Sequence, residues 1–288
     1  MKSIEKMLKI AIPKGRIHEK VLRLLDNAGI KIKADGRSYK PYCSDPEIEI
    51  KVLRARNIPK LVEIGSQDIG FTGFDFVKEQ QADIVELLDL GYDTVNVVAA
   101  IPSEYTVEEL KKRKITVASE YENLTKEFLR KENYNATFVR TYGATEVFPP
   151  DDADMIIDNS STGKTLSDNG LKIIERLLQS STRCIANKNS LSDSWKKKKI
   201  DDLLMLFRSV LAAEERVFIE MNVNKEDLDR IIPELPCMKM PTISKLYGDQ
   251  GYAVKIGVLK NDVNSLLPKL KSLGATDILV FKLEKAVL

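Results

Sequence analysis

Residues 8–29 read L-K-I-A-I-P-K-G-R-I-H-E-K-V-L-R-L-L-D-N-A-G, and the order of residue types in this stretch decides the fold class. Residues 8–12 are a short apolar run of β type. Residues 17–28 then repeat apolar side chains at helical spacing until Gly29 stops them. A strand feeding a helix is the repeating unit of an α/β protein.

The alternation continues outward. Residues 48–53 alternate apolar and polar side chains, as a half-buried strand does, and 59–64 form a short helix with Pro59 near its first turn. Residues 68–72 and 94–101 read as buried strands. A second α/β unit starts near Pro102, with strands at 114–118, 136–140, 154–158 and 182–186 and a helix at 121–131. The run 171–178 fits a helix or a twisted strand, and 192–216 a long helix. The rhythm then changes. Strands at 217–223, 242–247, 252–259 and 278–283, with helices at 225–232 and 263–273, give the order βαββαβ of a ferredoxin-like sandwich.

Composition excludes several classes. In 288 residues the net charge is only +2, which argues against a nucleic-acid-coating protein. Cys43, Cys184 and Cys237 are far apart, so neither a disulfide framework nor a cysteine zinc site is expected, which fits a reducing compartment. The single histidine, His18, excludes a His-rich metal site. Residues 1–15 do not read as an export signal, and no apolar run approaches the roughly 20 residues that span a bilayer. No membrane partner and a cytoplasmic location are the expectation.

The chemistry concentrates in 154–170, D-M-I-I-D-N-S-S-T-G-K-T-L-S-D-N-G. A P-loop would place a glycine five positions before Gly163, where this chain has Asp158. A carboxylate there repels a polyphosphate but accepts hydrogen bonds from two vicinal sugar hydroxyls. The hydroxyls, glycine and backbone N–H groups that follow suit one phosphate. An acid followed by such a nest describes a phosphoribose site; a Ser/Thr/Asn-rich turn joining two strands is the alternative.

The chain resembles the long-form ATP phosphoribosyltransferases. The resemblance rests on D-N-S-S-T-G-K-T-L-S-D-N-G-L at 158–171, I-P-K-G-R at 12–16, L-R-A-R at 53–56, D-I-G-F-T-G at 68–73, G-A-T-E-V at 143–147 and P-T-I-S at 241–244. It departs at Asn159 and Ser160, where the family usually has apolar residues, and at Phe74, where it usually has a charged or polar one.

The resemblance implies transfer of the phosphoribosyl group of phosphoribosyl pyrophosphate to N1 of ATP, with Mg²⁺, in the first step of histidine biosynthesis. It implies a two-lobed catalytic part like a periplasmic binding protein, with lobe I at 1–101 and 183–222, lobe II at 102–182, and a regulatory ferredoxin-like (ACT-like) domain at 223–288. Asp158 and Glu146 are the catalytic candidates, and Asp158, Ser161, Thr162, Gly163, Lys164 and Thr165 would hold phosphoribosyl pyrophosphate. Glu146 read alone also fits an acid at a helix start. Lys14, Gly15 and Arg16 sit between a strand and a helix N-terminus, a natural anion site, though without the resemblance solvated surface is the slightly better reading of Lys14 and Arg16. Arg54 and Arg56 alternate at a strand end and would face one way toward phosphate, or form a polar strand face. The resemblance adds Asp75 on the ATP side. Met238, Thr242 and Ser244 match the region that binds histidine as an inhibitor, and a homo-oligomer, dimer or hexamer, is expected. The competing reading is a non-catalytic two-lobed binder, which has no need of Asp158 and its loop. No resident metal ligand is expected.

Overall fold

The computed structural model describes residues 6–33 and 39–288, so the reading of 1–15 lies, at 1–5, outside the described residues. The chain divides into two compact units, Met1–Asp26 with Ile30–Ile200, and Asn27–Gly29 with Asp201–Leu288.

The first unit holds two five-stranded mixed sheets. One runs Ile48–Arg54, Leu8–Lys14, Ile69–Gly73, Thr182–Ala186, Val85–Asp89, with its first three strands parallel. Leu8, Ile10, Ala11 and Ile12 are fully buried, as in a parallel strand covered on both faces. The other runs Leu171–Ser180, Val95–Pro102, Met155–Ser160, Ile115–Ser119, Ala136–Arg140, with its last three strands parallel. The chain crosses between the sheets twice, at 90–94 and at 181, and the crossings bond each other: Leu90 N–H to Thr182 O and Thr182 N–H to Tyr92 O, both 2.9 Å.

The ambiguous run is the strand Leu171–Ser180. It carries two register irregularities against Val95–Pro102, between Ile173 and Glu175 and between Arg176 and Leu178. Each adds an unpaired residue, so apolar side chains fall at 173, 174, 177 and 178 and imitate a helix period. The expected domain limits also shift. Val95–Pro102, placed in lobe I up to residue 101, pairs within the second sheet.

In the second unit the strands Arg216–Val223, Thr242–Lys245, Tyr252–Leu259 and Thr276–Lys282 form one antiparallel sheet. Its order, second-third-first-fourth, is that of the expected ferredoxin-like sandwich. Arg216–Val223 is therefore a central strand of this sheet and not, as the limit at 222 placed it, part of lobe I. Its inward residues Val217, Ile219, Met221 and Val223 join Val254, Ile256 and Val258 under the helix Val263–Ser272. The other helix is shorter than expected, Leu228–Ile231, because the chain tightens into a 3₁₀ turn at Ile232–Glu234 containing Pro233.

Candidate active site

The parallel strands of both sheets aim their carboxyl ends at one cleft, where α/β sheets bind ligands. From the first sheet come Lys14, at the end of Leu8–Lys14, and the helix Phe74–Gln80 that follows Ile69–Gly73. From the second come Glu120 and Tyr121, directly after Ile115–Ser119, and Asp158–Ser160, closing Met155–Ser160. Two adjoining cavities fill the cleft, of about 350 and about 160 Å³, and Arg16 and Asn159 line both.

The larger cavity brings together Asp158, Glu146, Ser161, Thr162, Lys164 and Thr165, with Glu120 and Arg16. Gly163 lies behind them with φ +80, in the left-handed region. Its N–H donates to Ser160 Oγ at 2.9 Å, and Lys164 N–H to Thr162 Oγ1 at 3.4 Å, so loop hydroxyls shape the turn. Leu166, 4% exposed, pins the following helix Lys164–Asp168 to the core. Glu146 stands on the 3₁₀ turn Thr145–Val147, anchored by buried Thr145, whose hydroxyl meets that of Thr141 at 2.9 Å.

Asp158 is half-buried. Burial, then repulsion from Glu120 and Glu146, pushes its carboxyl up to about 6, against the Asn159 N–H and the Thr145 hydroxyl, which pull it down. Asn159 N–H donates to Asp158 Oδ1 at 2.7 Å. A carboxylate surrounded by acids suits a ligand with hydroxyl donors or developing positive charge.

The smaller cavity is lined by Lys14, Arg16, Asp75 and Asp93 among others. Arg16 Nε pairs with Asp93 Oδ2 at 2.7 Å, and Lys14 Nζ sits 3.7 Å over the Tyr39 ring. Asp75 is 5% exposed, and both its oxygens are taken, Oδ1 by the Ser180 hydroxyl and Oδ2 by the Tyr121 hydroxyl, each at 2.7 Å. A Cβ on Gly73 would come 2.2 Å from Asp75 Oδ1, so only glycine lets the carboxylate sit there. Asp75 braces the cleft wall.

Three further candidates stand apart. Gly15, Arg54 and Arg56 line neither cavity. The strand ends at Arg54, and Ala55–Asn57 is a 3₁₀ turn, so the two arginines do not share a strand face as expected. Arg56 instead lies 3.6 Å from Glu120. In the second unit a groove of about 480 Å³ is lined by Met238 and Thr242, with Arg216, Phe218, Lys255 and Gly257. Ser244 is exposed on the same strand but does not line the groove, so of the three residues matched to the histidine-binding region only Met238 and Thr242 meet there. Glu120, Tyr121, Asn159 and Ser180 were not anticipated. The position of Glu120-Tyr121 just past a strand's carboxyl end is the signal that points to them.

A sequence model of the family described as ATP phosphoribosyltransferase matches residues 54–209, and that of the HisG C-terminal domain matches 213–285. An ATP phosphoribosyltransferase of Thermodesulfovibrio yellowstonii is 40% identical, over 98% of this chain and 99% of its own. One from Chlorobium phaeobacteroides is 36% identical over the whole of both chains. Among solved structures, a chain of the ATP phosphoribosyl transferase (HisG:HisZ) complex from Thermotoga maritima shares the fold at a TM-score of 0.63 and 24% identity, covering 70% of this chain and 99% of that one. Family models across both units and relatives matched end to end converge on one conclusion: this chain belongs to the ATP phosphoribosyltransferase family.

Proposed function

We propose that the cleft of the first unit is where this chain performs its family's transfer, with Asp158 as the ribose acid. The chain is an enzyme of histidine biosynthesis that moves the phosphoribosyl group of phosphoribosyl pyrophosphate to N1 of ATP, releasing pyrophosphate. The observation that carries the site assignment is the single cavity joining Asp158 to the loop 161–165.

N1 of adenine has a free lone pair, so it attacks C1′ without losing a proton while the C1′–oxygen bond breaks toward pyrophosphate. No base is required. The work is alignment and electrostatics. Ionised Asp158 accepts from the ribose hydroxyls, and with Glu120 and Glu146 faces the positive charge that grows on the ribose. Ser161, Thr162, Gly163, Lys164 and Thr165 hold the 5′-phosphate. Lys14 and Arg16 meet the other phosphates, with Gly15 permitting the turn at φ +86, and Arg56 stands beside Glu120 of the larger cavity. The Arg16–Asp93 pair is no obstacle, because Arg16 is 61% exposed and exposed pairs are worth about 0–1 kcal/mol.

Mg²⁺, when bound with the substrates, would supply charge neutralisation on the pyrophosphate. Among the described residues no three His, Cys, Asp or Glu side chains form a metal cage. An ion carried in on the substrate phosphates fits this donor set, since Mg²⁺ keeps much of its water and binds through phosphates.

Histidine inhibits through the groove at Met238 and Thr242, and the protein assembles as a homo-oligomer. Leu279, Val280 and Phe281, 53%, 43% and 45% exposed on the edge strand Thr276–Lys282, support the assembly. Among the described residues no helix is long and apolar enough to cross a membrane, and the nucleotide substrates suit a cytoplasmic enzyme. The non-catalytic binder is not favoured, because nothing in mere binding asks for the acid-lined loop. The test is purified protein with ATP, phosphoribosyl pyrophosphate and Mg²⁺, followed by the absorbance of phosphoribosyl-ATP. No absorbance change overturns the reading.

A further inference from the structure

We infer that Tyr121 and Asn159 are positioning residues for Asp158, carrying a fixed hydrogen-bond direction from Asp75 on one side of the cleft to the ribose acid on the other; the inference rests on Asp158 being that acid.

The chain of contacts is continuous. The Ser180 hydroxyl donates to Asp75 Oδ1, and the Tyr121 hydroxyl to Asp75 Oδ2, at 2.7 Å each. Tyr121 has one proton, and it is given to Asp75. Its oxygen is left to accept, and it does so from Asn159 Nδ2 at 3.1 Å. The same amide nitrogen lies 3.3 Å from Asp158 Oδ1, and the Asn159 backbone N–H reaches that oxygen at 2.7 Å.

Donor and acceptor roles fix the direction of the whole chain. Both neighbours of the Asn159 amide, the Tyr121 oxygen and Asp158 Oδ1, are acceptors. Only the NH₂ end can face them, so the amide has one allowed orientation. Asp158 Oδ1 is thereby held by two N–H groups of one residue. Tyr121 cannot drift, since it is 1% exposed and its ring stacks on Phe76 at 6.0 Å between centroids. Gly73 keeps open the space that Asp75 occupies.

Two donors on Oδ1 favour the ionised form of Asp158, the form that accepts from ribose hydroxyls. Against them stand Glu120, beside Tyr121, and Glu146, on the turn Thr145–Val147; Arg16 and Lys164 are the cations lining the same cavity. Loosening the amide therefore has a signed consequence. Asp158 binds its proton more tightly, and the acid limb of activity moves to higher pH.

The experiment measures kcat/KM for phosphoribosyl pyrophosphate against pH in the Tyr121→Phe, Asn159→Ala and double variants. Tyr121→Phe keeps the ring and its stacking and removes only the oxygen. Asn159→Ala removes the amide donor to Asp158 and Tyr121→Phe releases that amide from its anchor, so each single variant is expected to raise the acid limb by about 0.3–1 pH unit. The double variant should move it no further than Asn159→Ala alone, because the two act in series. A limb that stays put in either single variant, or shifts that add in the double, overturns the inference. If Tyr121→Phe does not fold, Asn159→Ala decides by the same limb, being at a partly exposed strand end. Asp158→Ala separates the layers. Inactive Asp158→Ala with unmoved limbs elsewhere refutes only the positioning role, while active Asp158→Ala refutes the site beneath it.

Discussion

Arg56 Nη1 lies 3.6 Å from Glu120 Oε2, so a cation expected to meet phosphate is instead paired with an acid that faces Asp158. The pair ties the turn after one sheet's outermost strand to the carboxyl end of a strand in the other sheet. It also limits how far Glu120 repels its neighbour, because part of its field is spent on the guanidinium.

Burial does most to push the Asp158 carboxyl up to about 6, and Glu120→Gln removes one of the two charges that add to it. The sign follows directly: the Asp158 pKa falls, and the acid limb of kcat/KM moves to lower pH by about 0.3–1 unit. This shift is opposite to that expected for Asn159→Ala. A pH–rate profile that is unchanged, or that moves upward, counts against the electrostatic account.

Asp158→Asn trades activity for stability. Removing the charged acceptor costs about 1.5–3 kcal/mol of transition-state binding, a ten- to hundredfold loss of rate. The folded carboxyl titrates near 6, above its ordinary 3.8, so folding favours the protonated form. The stability this confers is complete below about pH 4 and is lost as pH rises through 6. Above that, the ionised wild type bears a penalty that a neutral amide at the same position does not. The variant should be more stable than wild type by about 1–3 kcal/mol at pH 8, with the gap gone by pH 4. Thermal unfolding at both pH values tests it, and an Asp158→Asn protein that melts lower at pH 8 refutes the assignment.

Gly163→Val acts through the backbone. A Cβ there would meet only Ile173 Cδ1, at 3.5 Å, an ordinary contact, whereas φ +80 is strained for a β-branched residue by about 1–3 kcal/mol. The turn 160–164 should deform, so the affinity for phosphoribosyl pyrophosphate falls at least about tenfold while ATP binding changes little. Calorimetry on each ligand separates these effects, and equal losses argue against a dedicated phosphate loop.

What the sequence made legible was local. Gly163, Ser160 and Thr162 shape one turn within five residues, so their types alone announce it. Helix–strand alternation and the βαββαβ order were legible for the same reason. Long-range pairing was not. Nothing in 95–102 says that its partners are 155–160 and 171–180 and not the first sheet, and two bulges left 171–178 open to a helix or a twisted strand. Arg56 misled because the strand stops two residues before it. Tyr121 reads as one more apolar residue at a helix start, and only the fold brings its hydroxyl to Asp75, 46 positions away.

The last prediction concerns the groove of the second unit, where the revised limit changes the experiment. A cut near Asn224 would leave Arg216–Val223 without the strands on either side of it, exposing Val217, Ile219 and Met221. Loss of histidine inhibition in such a fragment would report damage to the sheet. Point changes are cleaner. Thr242 and Ser244 alternate along one exposed edge strand, yet only Thr242 lines the groove. Both can carry a long side chain without disturbing the backbone pairing of Thr242 to Lys255 or Ser244 to Ala253. Thr242→Arg places a bulky cation in the groove; Ser244→Arg places the same group beside it. If histidine binds there, Thr242→Arg should raise the half-inhibitory histidine concentration at least about tenfold, the equivalent of about 1.4 kcal/mol of lost histidine binding. Ser244→Arg should leave it within about twofold, and uninhibited rates should match wild type in both. Activity against histidine concentration, with oligomer mass measured in parallel, distinguishes a lost effector site from lost assembly. Equal effects of the two substitutions would remove the groove as the effector site, and full-length enzyme that ignores millimolar histidine would make the second unit a structural module alone.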